Sequence, residues 1–418
     1  MRSPADRPVD QTGLRRLNLS RVLRALRVDG PQSRALLARR TGLNKATTSS
    51  LVGELEQRRL VRLGEIVSGA VGRPSQPVEL RGRTVCGIGL EINVNYVAVA
   101  VLDLTDQMVF SKRVPLDVVA LGQVAAMDLL ADLAAEAIAE VRDAGNWVTG
   151  VTVAVPGLVD TENGIVRHAP NLRWRDASVV ERLVTRLELP RERISVDNDA
   201  NLSALAEHAV GVAAGATDLL YLTGEVGVGG GVIADGRLVR GATGFTGEVG
   251  HMPLNPEPAP CGCGRSGCWE TQVGLAALLR SVANFDDRVH DSALDLEQRL
   301  RVIASRAADG EPRTRRALAE IGSALGIGAS ILVNILNPTA IVLGGYFAVL
   351  GEWLVEPARR ELSERVMASG SCRLLLSDLG FTAAVRGGAY AALDRVFDDP
   401  SIAPLVAPAE VPHLGGIA

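Results

Sequence analysis

Residues 194–201 read Ile-Ser-Val-Asp-Asn-Asp-Ala-Asn. A short apolar strand runs into a cluster of Asp and Asn, and the sequence after it, to about Val210, has the composition of a helix. A strand that delivers polar side chains at its carboxyl end and passes straight into a helix is the unit of an α/β sheet, where ligands gather at strand ends. The pattern extends in both directions. Val85–Leu90, Tyr96–Leu102 and Val148–Val155 read as buried strands, and Gly122–Arg142 as a helix between them. Leu219–Thr223 is a strand before the run Gly227-Val228-Gly229-Gly230-Gly231, with a further strand at Val232-Ile233 and an Asp235-Gly236 hairpin turn. The longest apolar stretch, Leu325–Gly345, contains Asn334, Asn337 and Pro338, so it reads as buried helix, turn and strand and not as a membrane span.

Three constellations in this region carry possible chemistry. Asn198-Asp199 stands at a strand end, where a carboxylate can accept a hydroxyl proton; the plain alternative is an Asx cap on the next helix. Gly247-Glu248-Val249-Gly250-His251 sets a carboxylate and an imidazole three residues apart, with glycines permitting close backbone approach, an arrangement suited to a polyol. Cys261, Cys263 and Cys268 place three thiols within eight residues, and His251 lies ten residues upstream. Three thiolates and an imidazole suit tetrahedral Zn²⁺, and four protein ligands close its shell, so the expected role is structural. The Gly-rich run could cradle phosphate through backbone N–H groups.

The chain has 418 residues, 47% hydrophobic and 22% charged. That hydrophobic fraction excludes global disorder, and five cysteines exclude a secreted disulfide scaffold. The net charge of −4 hides an asymmetry: residues 1–82 carry 16 Lys+Arg against 7 Asp+Glu, and the rest carry 28 against 41. Only the head is expected to meet a polyanion. No apolar leader is visible at the N-terminus, so a cytoplasmic protein without membrane attachment is expected.

Residues 1–12 read as disordered and 13–82 as a DNA-binding domain. Leu17, Leu19, Val22, Leu23 and Leu26 have helical spacing; Ser33 can cap a second helix; Thr41-Gly42-Leu43 is a tight turn; Asn44 can cap a third helix through Arg59. Two short helices around a Gly turn make a helix-turn-helix. The third helix opens Asn44-Lys45-Ala46-Thr47-Thr48-Ser49, small and hydrogen-bonding with one cation, as a recognition helix requires. Leu60–Leu63 and Val78–Leu80 read as strands of a wing. Arg73, between Gly72 and Pro74, could enter a minor groove. The DNA contacts expected are therefore Asn44, Lys45, Thr47, Thr48, Ser49 and Arg73. The alternative is a helical module that docks an acidic protein.

Taken in order, Pro-Asn-Leu-Arg-Trp at 170–174, Asp-Asn-Asp-Ala-Asn at 197–201, Gly-Glu-Val-Gly-His at 247–251 and Cys-X-Cys-Gly-X-X-Gly-Cys-X-Glu at 261–270 resemble the ROK family of repressors, open reading frames and kinases. The resemblance covers nearly the whole chain. It implies a two-lobed actin-like, sugar-kinase-like α/β body behind the winged helix-turn-helix, as in the family's sugar-responsive repressors. The first lobe would span 83–197, completed by a helix near 386–397. The second would span 198–385, and 398–418 would form a tail. By motif, Asn171, Asn198, Asp199, Glu248, His251 and Glu270 would hold sugar hydroxyls, while His251, Cys261, Cys263 and Cys268 would hold zinc.

The departures from the kinase pattern point to function. Where family kinases carry Asp-X-Gly-Gly-Thr, this chain has Gly89-Leu90-Glu91-Ile92-Asn93; where they carry Gly-Thr-Gly-Val-Gly-Gly-Gly, it has Glu225-Val226-Gly227-Val228-Gly229-Gly230-Gly231. Two carboxylates replace phosphate-binding groups, which disfavours a triphosphate. The reading is a sugar-responsive regulator, a homodimer or homotetramer on operator DNA, with a monosaccharide or sugar phosphate as effector and no catalysis. The rival is an ATP-dependent sugar kinase with a fused DNA-binding head.

Overall fold

The computed structural model describes residues 11–65, 76–255, 259–291, 294–368 and 370–405. Its head has three helices, α1 (Gln11–Asp29), α2 (Arg34–Thr41) and α3 (Lys45–Gln57), and an antiparallel strand pair, β1 (Val61–Leu63) and β2 (Val78–Leu80). Helix α1 begins at Gln11, so residues 11 and 12 are ordered helix and not part of a disordered leader. Leu19, Val22, Leu23 and Leu26 recur at helical spacing and are all buried. Ser33 caps α2 and Gly42 ends it at φ 70°, which glycine adopts without steric cost. Asn44 caps α3, its Oδ1 accepting from the Thr47 N–H at 2.8 Å. Arg73 lies outside the described residues.

Two five-stranded sheets form the body. The first comprises β3 (Val85–Ile92), β4 (Tyr96–Asp103), β5 (Met108–Pro115), β6 (Trp147–Val155) and β10 (Ile194–Asn198), in the order β10-β6-β3-β4-β5. Strands β3, β6 and β10 are parallel, and β3–β4–β5 is an antiparallel meander. β5 was not anticipated, because its alternating exposure leaves no apolar run. Helices α4 (Val118–Leu121), α5 (Gln123–Asp143) and α6 (Val179–Leu187) belong to this lobe, as does a small sheet of β7 (Leu158–Asp160), β8 (Ile165–Ala169) and β9 (Trp174–Ala177).

The second sheet has the order β13-β12-β11-β14-β15. It is built from β11 (Leu219–Gly224), β12 (Val228–Ala234), β13 (Arg237–Leu238), β14 (Ala340–Gly345) and β15 (Arg373–Leu376). Around it stand α7 (Asp199–Ala209), α8 (Glu270–Val273), α9 (Leu275–Val282), α10 (Leu296–Ala308), α11 (Pro312–Leu336), α12 (Tyr346–Val349) and α13 (Gly351–Arg365). The expected helix, turn and strand across 325–345 are α11, Asn337 in the left-handed region, and β14. Among the described residues, α11 alone is long and apolar enough to cross a bilayer; it packs against α13 and α9. The strand expected at Val232-Ile233 starts earlier, within the Gly-rich run: Val228–Ala234 is strand, with Val228 to Ile233 paired with β11.

The last helix, α14 (Ala383–Asp398), lies against β3, β4, β6 and α7. Close approach there depends on glycine. A methyl added to Gly89 would overlap the carbonyl oxygen of Val385, and one added to Gly387 would overlap that of Leu202. The far end of α14 carries the head. Leu19, Leu23, Leu26, Leu51 and Leu55 share one core with Leu393, Val396, Phe397, Val85 and Leu102. Arg27, its side chain 9% exposed, pairs with Asp106 and Asp394 and lies 3.8 Å from the Tyr390 ring centre. Arg24 pairs with Asp394 and Asp398, and Arg16 with Asp399. Part of the head's positive charge is thus matched by its own body, which the charge sum could not reveal.

Candidate functional site

A cavity of about 350 Å³ opens between the two sheets at the carboxyl ends of β10 and β11. Asn171, Asn198, Asp199, Glu248, His251 and Glu270, the six residues expected to hold sugar, all line it. Asn171 comes from the turn before β9, and a methyl added to Gly227 on the other lobe would lie 3.3 Å from its Nδ2. Asn198 is the N-cap of α7. Its Oδ1 accepts from Ala200 N and Asn201 N at 2.9 and 3.1 Å, and its Nδ2 donates to Gly157 O at 3.1 Å. The cap reading therefore holds for its side chain, which fixes the entry of the helix that presents Asp199.

Burial pushes the Asp199 carboxyl up to about 6, with a smaller contribution from the charge of Asp197. Glu248 is raised to about 7, again by burial first and then by the charges of Asp199 and Glu270. These carboxyls stand close enough to feel one another, and Arg265 is a cation in the lining, favouring ionised Glu248.

His251 faces two ways. Its Nε2 lies 3.7 Å from Glu248 Oε2, and its Nδ1 lies 3.7 Å from Cys261 Sγ. The ligand atoms of His251, Cys261, Cys263 and Cys268 all fall within 4.8 Å of one another. Cys263 Sγ and Cys268 Sγ are 3.7 Å apart, and the Cys261 thiol donates to Glu270 Oε1 at 2.7 Å. Four soft or borderline donors gathered from two loops can hold a metal ion.

At the other end of the cavity the two departures from the kinase pattern meet. Glu91, on β3, is 2% exposed and lies behind the lining, while Glu225, in the turn between β11 and β12, faces the cavity. Tyr96 Oη donates to Glu91 Oε1 at 2.5 Å, and Asn93 Nδ2 donates to Glu225 Oε2 at 2.5 Å, crossing from one lobe to the other. Burial raises both carboxyls; the charges of Glu91 and Asp199 raise Glu225 further, and that of Asp199 raises Glu91. Glu91 Oε2 is buried without a hydrogen-bond partner. Asn93 and Tyr96 were missed by sequence reading; no motif marks them. The glycines of 229–231 serve packing: a side chain at Gly231 would strike the backbone of Ala200, and one at Gly230 would strike Val249.

On the head, Lys45 and Ser49 are exposed on the first turns of α3, Asn44 is exposed at its cap, and Thr47 is half-buried. Thr48 corrects the expectation. It is fully buried, its hydroxyl donating to Asn44 O at 3.0 Å, because Thr48, Leu51, Val52 and Leu55 share the inward face of the helix.

Comparison with known proteins agrees with this architecture. Residues 87–395 match the model of the ROK family, and residues 17–70 match a MarR family model. The xylose repressor of Caldicellulosiruptor bescii is 30% identical over 366 residues, covering 85% of this chain and 90% of its own. A ROK family transcriptional regulator, homolog of the E. coli MLC protein, superposes with TM-score 0.76 at 23% identity, covering 92% of this chain and 97% of its own. A ROK family glucokinase from Streptomyces griseus, solved with glucose and AMPPNP, gives TM-score 0.62 at 27% identity, covering 74% of this chain and 99% of its own.

Proposed function

The chain belongs to the ROK family, and on that footing we propose that it is a sugar-responsive, DNA-binding repressor of carbohydrate genes acting in the cytoplasm. One observation carries the reading: the head is locked to α14, and α14 lies against α7, the helix that opens with Asp199 in the cavity. A sugar that draws the lobes together moves α7 and α14 relative to each other, and α14 takes the head with it. In a homodimer or homotetramer this changes the spacing of two recognition helices against half-sites one turn apart. The sugar acts only through its different affinity for the two arrangements.

In the cavity, Asp199, Glu248 and Glu270 accept hydroxyl hydrogen bonds, Asn171 and His251 Nε2 add to the ring contacts, and Asn198 holds the helix entry in place. His251, Cys261, Cys263 and Cys268 fit a structural zinc ion by donor type and number. Zinc would supply only rigidity here. Cys261 would serve as a thiolate ligand, and the thiol proton it now donates to Glu270 would then be absent. His251 would offer the nitrogen beside Cys261, its Nδ1, and its Nε2 lies toward Glu248 in the cavity. Lys45, Asn44, Thr47 and Ser49 face DNA, with Arg73 reaching from the wing.

The kinase reading rests on Asp199, which keeps the place of a catalytic base. Against it stand Glu91 and Glu225, where a nucleotide's phosphates would lie. Fluorescence anisotropy on the protein's own promoter, with and without a sugar panel, tests the proposal: sugar should release or tighten specific, salt-sensitive binding. ATP-dependent phosphorylation of any panel sugar, abolished by Asp199→Asn, would replace this reading with the kinase.

A further inference from the structure

The identity of the effector is narrowed by the end of the cavity at Asp199 and Glu225. We propose, resting on the sugar-sensor reading above, that the cavity takes an unphosphorylated monosaccharide and refuses a phosphate ester on the hydroxyl that faces these two residues. Asp199 and Glu225 both line the cavity, and Glu91 is buried behind them with one carboxyl oxygen unpartnered. A phosphate ester brings close to two negative charges at neutral pH into that field.

Several of the donors at this end of the cavity are engaged, although the Thr223 hydroxyl in the lining has no hydrogen-bond partner among the described residues. The first N–H groups of α7, at Ala200 and Asn201, already bond to Asn198 Oδ1, so the helix N-terminus is capped from within. Asn93 Nδ2 is given to Glu225, and its Oδ1 accepts from Val94 N. The Tyr96 hydroxyl is given to Glu91. Arg113 is not among the lining residues: it stacks 3.7 Å from the Tyr96 ring centre and pairs with Glu297 at 2.8 Å. Its charge partly offsets the raising of Glu91 and Glu225. A free hydroxyl suits the same surroundings, because it donates to a carboxylate and accepts from a carboxylic acid, whichever form is present. Arg265, a cation of the lining, serves the Glu248 end.

The test is calorimetric titration of the full-length protein with pairs of free sugars and their 6-phosphates, glucose and N-acetylglucosamine among them, together with xylose. The tightest ligand should be a free sugar, and where it has a 6-phosphate that ester should bind at least about tenfold more weakly. Glu225→Gln should shrink the ratio between free and phosphorylated forms to about threefold or less. A purely structural role for Glu225 would weaken both forms alike and leave the ratio unmoved, which overturns the assignment to this end of the cavity. A 6-phosphate that binds as tightly as its free sugar overturns the proposal while leaving the sugar-sensor reading intact. Binding of neither form overturns both.

Discussion

Asn93 and Glu225, 132 residues apart in sequence, are joined across the cleft by a 2.5 Å hydrogen bond from the amide of one to the carboxyl of the other. The bond ties the end of β3 in one lobe to the β11–β12 turn in the other. Beside it, Tyr96 holds Glu91 in the same way. The two carboxyls that depart from the kinase pattern are held by uncharged donors, Glu225 across the cleft and Glu91 within its own lobe.

Stability should therefore fall as pH rises through the neutral range. Glu91 and Glu225 are raised from an ordinary 4.5, by burial first, and then Glu225 by the charges of Glu91 and Asp199 and Glu91 by that of Asp199. Carboxyls that hold their protons more tightly when folded contribute their full stability below the unfolded value, and lose it as pH climbs through the raised folded values. Asp199, raised to about 6, acts in the same direction. The melting temperature should drop between pH 5.5 and 8.5, and Glu225→Gln, which cannot titrate, should drop less. Equal slopes for the two proteins would show that the pair is not the source.

The thiol cluster should carry one metal ion per chain. Metal analysis of the purified protein should find zinc, and Cys263→Ser should lose it. Because Glu248 and Glu270 stand on loops tied by that cluster, sugar affinity should fall by about 10–100-fold in the variant, the usual cost of disturbing the surroundings of such a site. A metal-free wild-type protein that binds sugar normally would remove the zinc assignment.

Glu248→Ala should abolish the sugar response and leave operator binding within about twofold of wild type, since Glu248 lines the cavity and, among the described residues, that lining includes none of the head. Anisotropy on the promoter with added sugar measures both. A normal response would place the effector elsewhere.

What could be read in advance followed the range of the signal. The thiol and imidazole cluster was legible because its three cysteines sit within eight residues and the histidine is ten upstream. The strands of both sheets were legible where burial on both faces made them continuously apolar, as in β3, β4 and β14. β5 was not, because half its residues face water. Thr48 was misassigned because a run of small polar residues does not show which of them turns inward. The partners of Glu91 and Glu225 depend on the pairing of distant strands, and the docking of Arg24 on Asp394 spans 370 residues.

Separating the head from α14 should break the response while sparing the sugar site. Arg27→Ala removes a nearly buried guanidinium held by Asp106 and Asp394 and stacked on Tyr390. It takes this partner from Asp106 and leaves Asp394 with Arg24, at a cost of about 2 kcal/mol or more. Gly387→Ala forces α14 away from Leu202 and should cost about 1–3 kcal/mol. In both variants calorimetry should show sugar binding near wild-type strength, and anisotropy should show operator binding that no longer changes with sugar. If either variant keeps the full response, α14 is not the coupling element.

On the DNA side, Lys45 and Arg73 should fail differently. Lys45 is exposed at the first turn of α3, where its ammonium can meet a phosphate but has no planar fork for a base edge. Lys45→Ala should weaken specific and nonspecific DNA alike and reduce the salt slope of log K by about one. Arg73, flanked by Gly and Pro in the segment between β1 and β2, suits the narrow minor groove of A·T tracts. Arg73→Ala should weaken binding to operators with A·T-rich flanks and barely change binding to those with G·C-rich flanks, because only the former concentrate negative potential where the guanidinium enters. Salt titrations on matched operators separate the two effects. Equal losses on both flanks would reduce Arg73 to a phosphate contact and leave sequence reading to α3 alone.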